Sequence, residues 1–321
     1  MSECEAPPRA MTTGGDGKFQ HPEKTADGAA RAHVFFDRLE TLWVNTGTLC
    51  NIECANCYIE SSPSNDRLVY FKDRELTPFL DEAERFGARE IGFTGGEPFL
   101  NPDMIAMAQS ALSRGFHVLI LTNAMRPMMR PRIRERLLEL LQAFGEKLSL
   151  RVSLDHHTSK IHDLERGAGS FDLACAGLDW LSDNSFSFSI AARAGLGEGE
   201  EGARKGFAAL FAERGWRLDA ASACDLVLFP EMDADAPVPE ITTECWGLLG
   251  KDPREIMCAS SRMVVKRKGA DAPAVLACTL LAYDEGFELG ATLKSSMRPV
   301  SLNHPHCAKF CVLGGASCSA A

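Results

Sequence analysis

Residues 47–58 read Gly47-Thr48-Leu49-Cys50-Asn51-Ile52-Glu53-Cys54-Ala55-Asn56-Cys57-Tyr58 and place three thiols within eight positions. They follow the apolar run 41–47, which is typical of a buried strand, so the thiols are expected on the loop after that strand. Such loops carry active sites at the carboxyl ends of parallel strands. A closed structural zinc site uses four ligands, whereas an iron–sulfur cluster held by three thiolates keeps one iron open. The loop therefore predicts an iron–sulfur site, with a zinc site that borrows a fourth ligand as the alternative.

Short apolar segments alternate with amphipathic segments from residue 41 to about residue 230. The apolar segments are rich in Val, Ile, Leu and Phe, which is typical of strands in a buried parallel sheet. They span 41–47, 90–95, 117–123, 148–155, 185–193 and 225–230. The predicted helices between them span 76–86, 102–114, 131–144, 171–182 and 203–214, with apolar residues at helical spacing. Six such units are fewer than the eight of a full barrel, so the pattern predicts an α/β fold with a partial (β/α)6 TIM-like barrel.

The second predicted strand ends in Phe93-Thr94-Gly95-Gly96-Glu97-Pro98. Adjacent glycines allow a close backbone approach, and the carbonyls and the Glu97 carboxylate are acceptors for an ammonium group. Together, Cys50-x-x-x-Cys54-x-x-Cys57 and this segment, one βα unit later, resemble the signature of the radical S-adenosylmethionine (SAM) superfamily. The resemblance implies a [4Fe–4S] cluster on the three cysteines. It also implies SAM on the open iron, with Gly95, Gly96 and Glu97 at the amino group of SAM.

Members of that family cleave SAM reductively, and the resulting 5′-deoxyadenosyl radical takes a hydrogen atom from the substrate. The protein positions this chemistry and keeps water away from it. One position departs from the family pattern: Asn56 stands where an aromatic residue or histidine usually precedes the third cysteine, and Tyr58 follows that cysteine instead.

Polar residues end three further predicted strands. Asn123 ends the third, Ser153 lies at the end of the fourth, and Arg193 ends the fifth. The resemblance makes all three candidates for contacts with SAM, and the planar guanidinium of Arg193 suits its carboxylate. The nearby His156 and His157 are equally compatible with surface or capping roles.

Five cysteines lie between residues 258 and 318, namely Cys258, Cys278, Cys307, Cys311 and Cys318. The segment between the first two is hairpin-like, with Gly269 near the turn. This region resembles the shortened SPASM domain, called twitch, of some radical SAM enzymes. The resemblance implies an auxiliary [4Fe–4S] cluster on Cys258, Cys278, Cys307 and Cys311, with Cys318 as a replacement ligand and Cys245 as an additional one. A structural zinc site is the alternative.

The predicted organisation is a disordered N-terminal tail (1–36), a radical SAM core (37–230), an acidic, proline-containing linker (231–244) and the auxiliary cluster domain (245–321). The net charge of −10 makes nucleic acid an unlikely partner. The sequence has no long apolar run and no secretory signal, so no membrane association and a cytoplasmic location are expected. Twelve cysteines without a signal sequence favour metal ligation over disulfides.

The predicted function is hydrogen abstraction from a peptide or a small molecule, leading to oxidation or bond formation. A flavodoxin or ferredoxin is the expected electron donor. Two other classes stay open, namely an iron–sulfur redox sensor or scaffold without turnover and a zinc-stabilised binding module.

Overall fold

A continuous sheet forms the centre of the molecule, for which the computed structural model describes residues 17–230 and 237–315. The strands in this part of the chain are β1 (His33–Val34), β2 (Thr41–Asn45), β3 (Glu90–Thr94), β4 (His117–Thr122), β5 (Leu148–Ser153), β6 (Ser187–Arg193), β7 (Leu226–Phe229), β8 (Ser261–Val265), β9 (Ala274–Leu276), β10 (Glu288–Gly290) and β11 (Val300–Ser301). Strands β2 to β7 pair in parallel and in chain order. All six predicted strands are therefore confirmed, and their predicted ends differ from the observed ends by at most two residues.

The helices connect these strands. They are α1 (Asp73–Arg85), α2 (Met104–Ser113), α3 (Pro131–Phe144), α4 (Ser159–Arg166), α5 (Ser170–Asp183), α6 (Glu200–Arg214), α7 (Cys245–Leu249) and α8 (Leu293–Ser296). Short 3-10 turns span Pro98–Leu100, Gly145–Lys147, Pro253–Glu255, Met257–Ala259 and Glu285–Phe287, and a π-helix spans Cys307–Leu313. The five predicted helices correspond to α1, α2, α3, α5 and α6, whereas α4 was not predicted.

The largest apolar core lies between the parallel strands and their helices. Leu42 and Val44 of β2 pack in one cluster with Leu76 and Leu80 of α1, and all four are at most 1% exposed. This alternation of strand and helix is the predicted partial (β/α)6 barrel. In the part of the chain that the structure describes, no helix has the length and apolarity needed to cross a bilayer.

The C-terminal region continues the same sheet. Strand β8 pairs in parallel with β2, on the side of β2 opposite β3, and β9 and β10 follow as antiparallel neighbours. The predicted hairpin is thus confirmed as β8–β9. However, the proposed boundary between residues 230 and 245 does not separate two sheets, because backbone pairing crosses from the core to the C-terminal region.

The segment before the barrel packs against this C-terminal region. Strand β1 pairs antiparallel with β11, and the Arg31 side chain forms a buried ion pair with Glu240. Arg31 also donates to the backbone carbonyls of His21, Lys24 and Leu302. The prediction of a disordered tail is therefore wrong for residues 17–36, while residues 1–16 lie outside the described part.

The ion pair of Arg31 with Glu240 also anchors part of the predicted linker 231–244. Glu240 accepts hydrogen bonds from the backbone N–H groups of Phe19 and Ala26, and Ile241 is 1% exposed. The described end of the linker, residues 237–244, is thus partly anchored by packing that sequence composition does not reveal.

Gly92 makes room for a buried tryptophan. It lies directly opposite Trp43 in the β2–β3 pairing, and a Cβ atom added there would lie 2.4 Å from the Trp43 ring. We expect Gly92→Ala to lower the free energy of unfolding by about 1–3 kcal/mol, because the ring has to move within a close-packed core. Urea denaturation measures this change.

The matched control is Gly247→Ala in α7, where no atom lies within 4 Å of the added methyl group. Its effect should stay within about 1 kcal/mol and should be neutral or stabilising. Equal losses of stability in the two variants would contradict the packing argument.

Candidate active site

The three thiols of the loop after β2 line one open cavity at the carboxyl edge of the sheet. Cys50, Cys54 and Cys57 share the wall of this space. The loop is held by its own backbone, since the Cys50 N–H donates to the Ser62 carbonyl at 3.0 Å. The Ser61 N–H donates to Cys57 Sγ at 3.3 Å. We call this space the first cavity.

Gly95 and Gly96 connect the end of β3 to the cysteine loop. The Gly96 N–H donates to the Gly47 carbonyl at 2.8 Å, and a Cβ atom on Gly96 would lie 2.2 Å from the Leu49 carbonyl oxygen. Gly95 has a φ of +141°, and its added Cβ would lie 2.4 Å from the Gly47 carbonyl oxygen. Both glycines also line the first cavity. Glycine is thus required at both positions for the backbone contact with the cysteine loop. From the sequence, a close approach of the backbone to a ligand is instead the expected reason for the two glycines.

Glu97 lies behind this wall and does not contribute to the cavity lining. Its carboxylate is 2% exposed and accepts hydrogen bonds from the Phe99 N–H at 3.2 Å, the Asn123 N–H at 2.9 Å and the Thr122 hydroxyl at 2.9 Å. Burial raises the pKa of Glu97 to about 7, against the lowering effect of these donors. The structure therefore places Glu97 as a buried link between the ends of β3 and β4.

Asn123, Ser153 and Arg193, the three candidates for contacts with SAM, all line the first cavity. The Asn123 Nδ2 group donates to Asn51 Oδ1 at 2.9 Å and lies 3.9 Å from Cys50 Sγ. Arg193 donates to the Asn56 carbonyl at 2.9 Å and pairs with Glu165 at 3.2 Å. Two of the three side chains therefore also hold the cysteine loop, and their contacts with SAM remain a proposal.

A buried ion pair at the cavity was not predicted. Arg166 donates two hydrogen bonds of 2.8 Å to the carboxylate of Asp155, and both residues line the first cavity. Burial raises the pKa of Asp155, but the guanidinium groups of Arg166 and Arg193 outweigh burial and hold that pKa below its usual value. The partners are eleven residues apart, with Asp155 before the turn that leads into α4 and Arg166 at the end of α4. No sequence periodicity connects these two positions.

His156 and His157 follow the cavity-lining Asp155 in sequence and share one partner, Glu198. Each Nε2 atom lies 2.9 Å from the same Glu198 oxygen, and the two rings stack at 4.2 Å. Nδ1 of His156 accepts the Thr158 N–H at 3.0 Å. Because Nδ1 of His156 acts as an acceptor, its Nε2 carries the proton and donates to Glu198. The cluster links the chain before α4 to the loop before α6 through Glu198. Neither histidine is the N-cap residue of α4, which is Thr158.

A second cavity gathers four of the C-terminal thiols. Cys258, Cys278, Cys307 and Cys311 line it together, although they come from a 3-10 turn, a loop and the π-helix. The Leu280 N–H donates to Cys278 Sγ at 3.3 Å. Burial raises the pKa of the Cys258 thiol to about 11 and that of Cys307 well above its usual value. A metal centre that deprotonates them would therefore release protons on binding.

The other two C-terminal candidates lie elsewhere. Cys245 is not part of the lining of the second cavity, and its Sγ accepts the Thr242 N–H at 3.4 Å. Cys318 lies outside the described residues. The structure thus brings together the four cysteines to which the resemblance to twitch domains assigns the auxiliary cluster.

The spacing of the thiols favours clusters over single ions. A tetrahedral zinc ion with Zn–S bonds near 2.3 Å holds its sulfur ligands about 4 Å apart. Within the described ranges, the group of three potential ligands that lie within 4.8 Å of one another is His156, His157 and Glu198, and no three thiols meet that distance. A cubane places each thiolate on a different iron and tolerates wider spacing. The donor sets therefore fit iron–sulfur clusters better than zinc.

The two cavities share a wall. Leu280 lines both cavities, and Phe310 lies in the wall of the first, between two cysteines of the second in sequence. Phe310 stacks on Phe229 of β7 with ring centres 5.6 Å apart. Two thiol-lined spaces thus lie next to each other, separated by apolar side chains.

Comparison with protein families gives the same class. Residues 44–204, half of the chain, match the family described as the radical SAM superfamily. The chain therefore belongs to this superfamily, whose members use a [4Fe–4S] cluster and SAM. The three thiols of the first cavity and the Gly95–Gly96 wall fit that pair of cofactors.

Two curated relatives each match 44% of the chain. The antilisterial bacteriocin subtilosin biosynthesis protein AlbA of Bacillus subtilis is 32% identical over 143 residues, which cover 44% of this chain and 30% of AlbA. The AdoMet-dependent heme synthase of Methanosarcina barkeri is 32% identical over 142 residues, 44% of this chain and 38% of the synthase. The matches thus span about a third of the length of these relatives.

A solved structure extends the similarity of fold beyond the core. Streptococcus suis SuiB bound to the precursor peptide SuiA superposes with a TM-score of 0.58 at 12% identity, over 81% of this chain and 64% of SuiB. This superposition covers more of the chain than the family match does.

Glu97→Gln tests the buried link between β3 and β4. A glutamine keeps the shape, but its NH₂ group must face an N–H group of either Phe99 or Asn123. One backbone donor then loses its acceptor, and we expect the free energy of unfolding to fall by about 1–3 kcal/mol. Chemical denaturation of anaerobically prepared protein measures this loss.

Glu139→Gln is the matched control, because Glu139 is exposed and pairs only with a neighbouring arginine on α3. Its effect should stay within about 0.5 kcal/mol. A Glu97→Gln variant as stable as this control would show that the Glu97 carboxylate is not the acceptor described above.

Proposed function

We propose that this chain is an enzyme that cleaves SAM reductively in the first cavity and abstracts hydrogen from a substrate bound beside it. One observation carries the proposal. Three thiols of a single loop and the Gly95–Gly96 backbone line the same cavity, and four further thiols line a second one across an apolar wall. Supplied with an electron, the cluster and SAM together provide the 5′-deoxyadenosyl radical that takes the hydrogen atom.

The chain's own residues bind and orient these groups. Cys50, Cys54 and Cys57 would hold three irons and leave the fourth to SAM. The Gly95 and Gly96 carbonyls would accept from the amino group of SAM, whereas Glu97 would keep those carbonyls in place from behind. Ser153 and Arg193 reach the same space, where the Arg193 guanidinium suits a carboxylate.

The first cavity also has apolar lining residues, which would exclude water from the reacting atoms. They include Tyr58, Phe229, Leu280 and Phe310. Water exclusion protects a reactive carbon radical from side reactions. This apolar lining is also where a substrate would meet the second centre.

The second cavity would hold an auxiliary [4Fe–4S] cluster on Cys258, Cys278, Cys307 and Cys311. Four thiolates leave no open iron, which favours electron transfer over direct substrate binding. An electron acceptor beside the substrate supports a net oxidation or bond formation. A flavodoxin or ferredoxin would supply the electron for the first centre, in the cytoplasm.

The substrate class that we propose is a peptide. AlbA is named for the biosynthesis of a bacteriocin, and SuiB was solved with its precursor peptide. The heme synthase among the relatives keeps a small-molecule substrate as the second candidate. A sensor or scaffold without turnover would also carry clusters, and SAM cleavage separates it from an enzyme.

Cysteine variants test the assignment of the two centres. Anaerobically reconstituted protein should hold about eight iron and eight sulfide, as two [4Fe–4S] clusters require. The triple variant Cys50→Ala, Cys54→Ala, Cys57→Ala should lose about half of each and all formation of 5′-deoxyadenosine. Replacing Cys258, Cys278, Cys307 and Cys311 by Ala should remove the other half.

Cys245→Ala and Cys224→Ala are the controls, because Cys245 lies outside the second cavity and Cys224 is exposed. Both should keep the full iron content. About two zinc ions without iron or sulfide would refute the proposal in favour of a binding module. Two intact clusters without SAM cleavage under strongly reducing conditions would favour the sensor.

A further inference from the structure

Ser61 has a buried hydroxyl group that the fold itself does not satisfy. The residue is 4% exposed, and its Oγ atom has no hydrogen-bond partner among the described residues. Buried hydroxyl groups are normally paired, because leaving one unpaired costs stability. The missing partner is therefore expected to be a bound group.

The surroundings of Ser61 indicate where this group lies. Ser61 lines the first cavity together with Cys50, Cys54 and Cys57, and its own N–H already donates to Cys57 Sγ at 3.3 Å. The next residue, Ser62, accepts the Cys50 N–H through its carbonyl at 3.0 Å. The backbone at Ser61 is thus held between two of the three thiols.

The chain two residues before Ser61 is also held in place, at Ile59. The Tyr283 hydroxyl donates to the Ile59 carbonyl at 2.9 Å, and Ile59 is 1% exposed. The backbone is therefore fixed on both sides of Ser61, and Ser61 itself lies in the cavity wall beside Cys57.

We propose that the Ser61 hydroxyl donates a hydrogen bond to the [4Fe–4S] cluster held by Cys50, Cys54 and Cys57, and so raises its reduction potential. Sulfide and thiolate sulfurs are acceptors that become more negative when the cluster takes up an electron. A donor pointing at them therefore stabilises the reduced form. Ser61 would thus contact the cluster directly and tune its potential, and the inference rests on the proposed function for the presence of that cluster.

The test compares four variants by their reduction potentials. EPR-monitored titration without SAM gives the midpoint potential of the cluster, which is recognised by the change of its signal when SAM is added. Ser61→Ala should shift this potential to more negative values. Ser61→Thr keeps the hydroxyl and should stay near wild type, whereas Ser61→Val, which has the shape of threonine, should shift like the alanine variant.

Ser64→Ala is the control on the same loop, because Ser64 is exposed and its hydroxyl contacts only Ser62. It should leave the potential unchanged. Equal potentials in Ser61→Thr and Ser61→Val would overturn the inference. So would a weaker SAM affinity of Ser61→Val at an unchanged potential, since the hydroxyl would then bind SAM.

Iron and sulfide contents distinguish the two levels of failure. Wild-type protein without a cluster on the three thiols would overturn the proposed function and this inference together. A loaded wild-type protein whose potential does not respond to the loss of the Ser61 hydroxyl would overturn the inference alone.

Discussion

The close contact between the end of β3 and the cysteine loop is the constraint on which the site depends. Two backbone N–H groups, those of Gly96 and Glu97, donate to the carbonyls of Gly47 and Leu49 at 2.8 and 3.0 Å. Side chains at positions 95 and 96 would place a carbon atom within 2.4 Å of these carbonyl oxygens. The glycines thus allow two neighbouring loops to act as one wall, and Glu97 fastens this wall to β4 from inside the core.

Charged groups hold the other half of the cysteine loop. The Ala55 N–H donates to the Glu165 carbonyl at 2.8 Å, and the Asn56 side chain donates to the Glu165 carboxylate at 3.0 Å. Arg193 joins the same group, and Asp155 with Arg166 lies below it. Breaking a buried pair of this kind leaves an uncompensated charge, so the network defines one arrangement of the loop more strongly than it adds stability.

The C-terminal region is coupled to the first cavity through structure as well as through the proposed electron transfer. Its strand β8 extends the parallel sheet, and Tyr283 contacts the chain just after Cys57. The Arg67 guanidinium lies 3.4 Å from the centre of the Tyr283 ring, a distance at which a cation and an aromatic face attract each other. Because Leu280 lines both cavities, a displacement of the second centre would also move part of the wall of the first cavity.

The sequence by itself determined the local features of this protein. The strand and helix periods, the Cys50–Cys57 spacing and the Gly95–Gly96 pair could be predicted, because each depends on neighbours a few residues away. The grouping of the C-terminal cysteines, which lie far apart in the chain, was predicted only through the resemblance to twitch domains. Only the tertiary structure decided that residues 17–36 are anchored by the ion pair of Arg31 with Glu240, and that β8 joins β2. It also decided that Asp155 pairs with Arg166 and that Glu97 faces the core instead of the cavity. These outcomes depend on contacts between side chains and strands far apart in the chain, for which burial and charge pairing set the geometry and no periodic pattern exists.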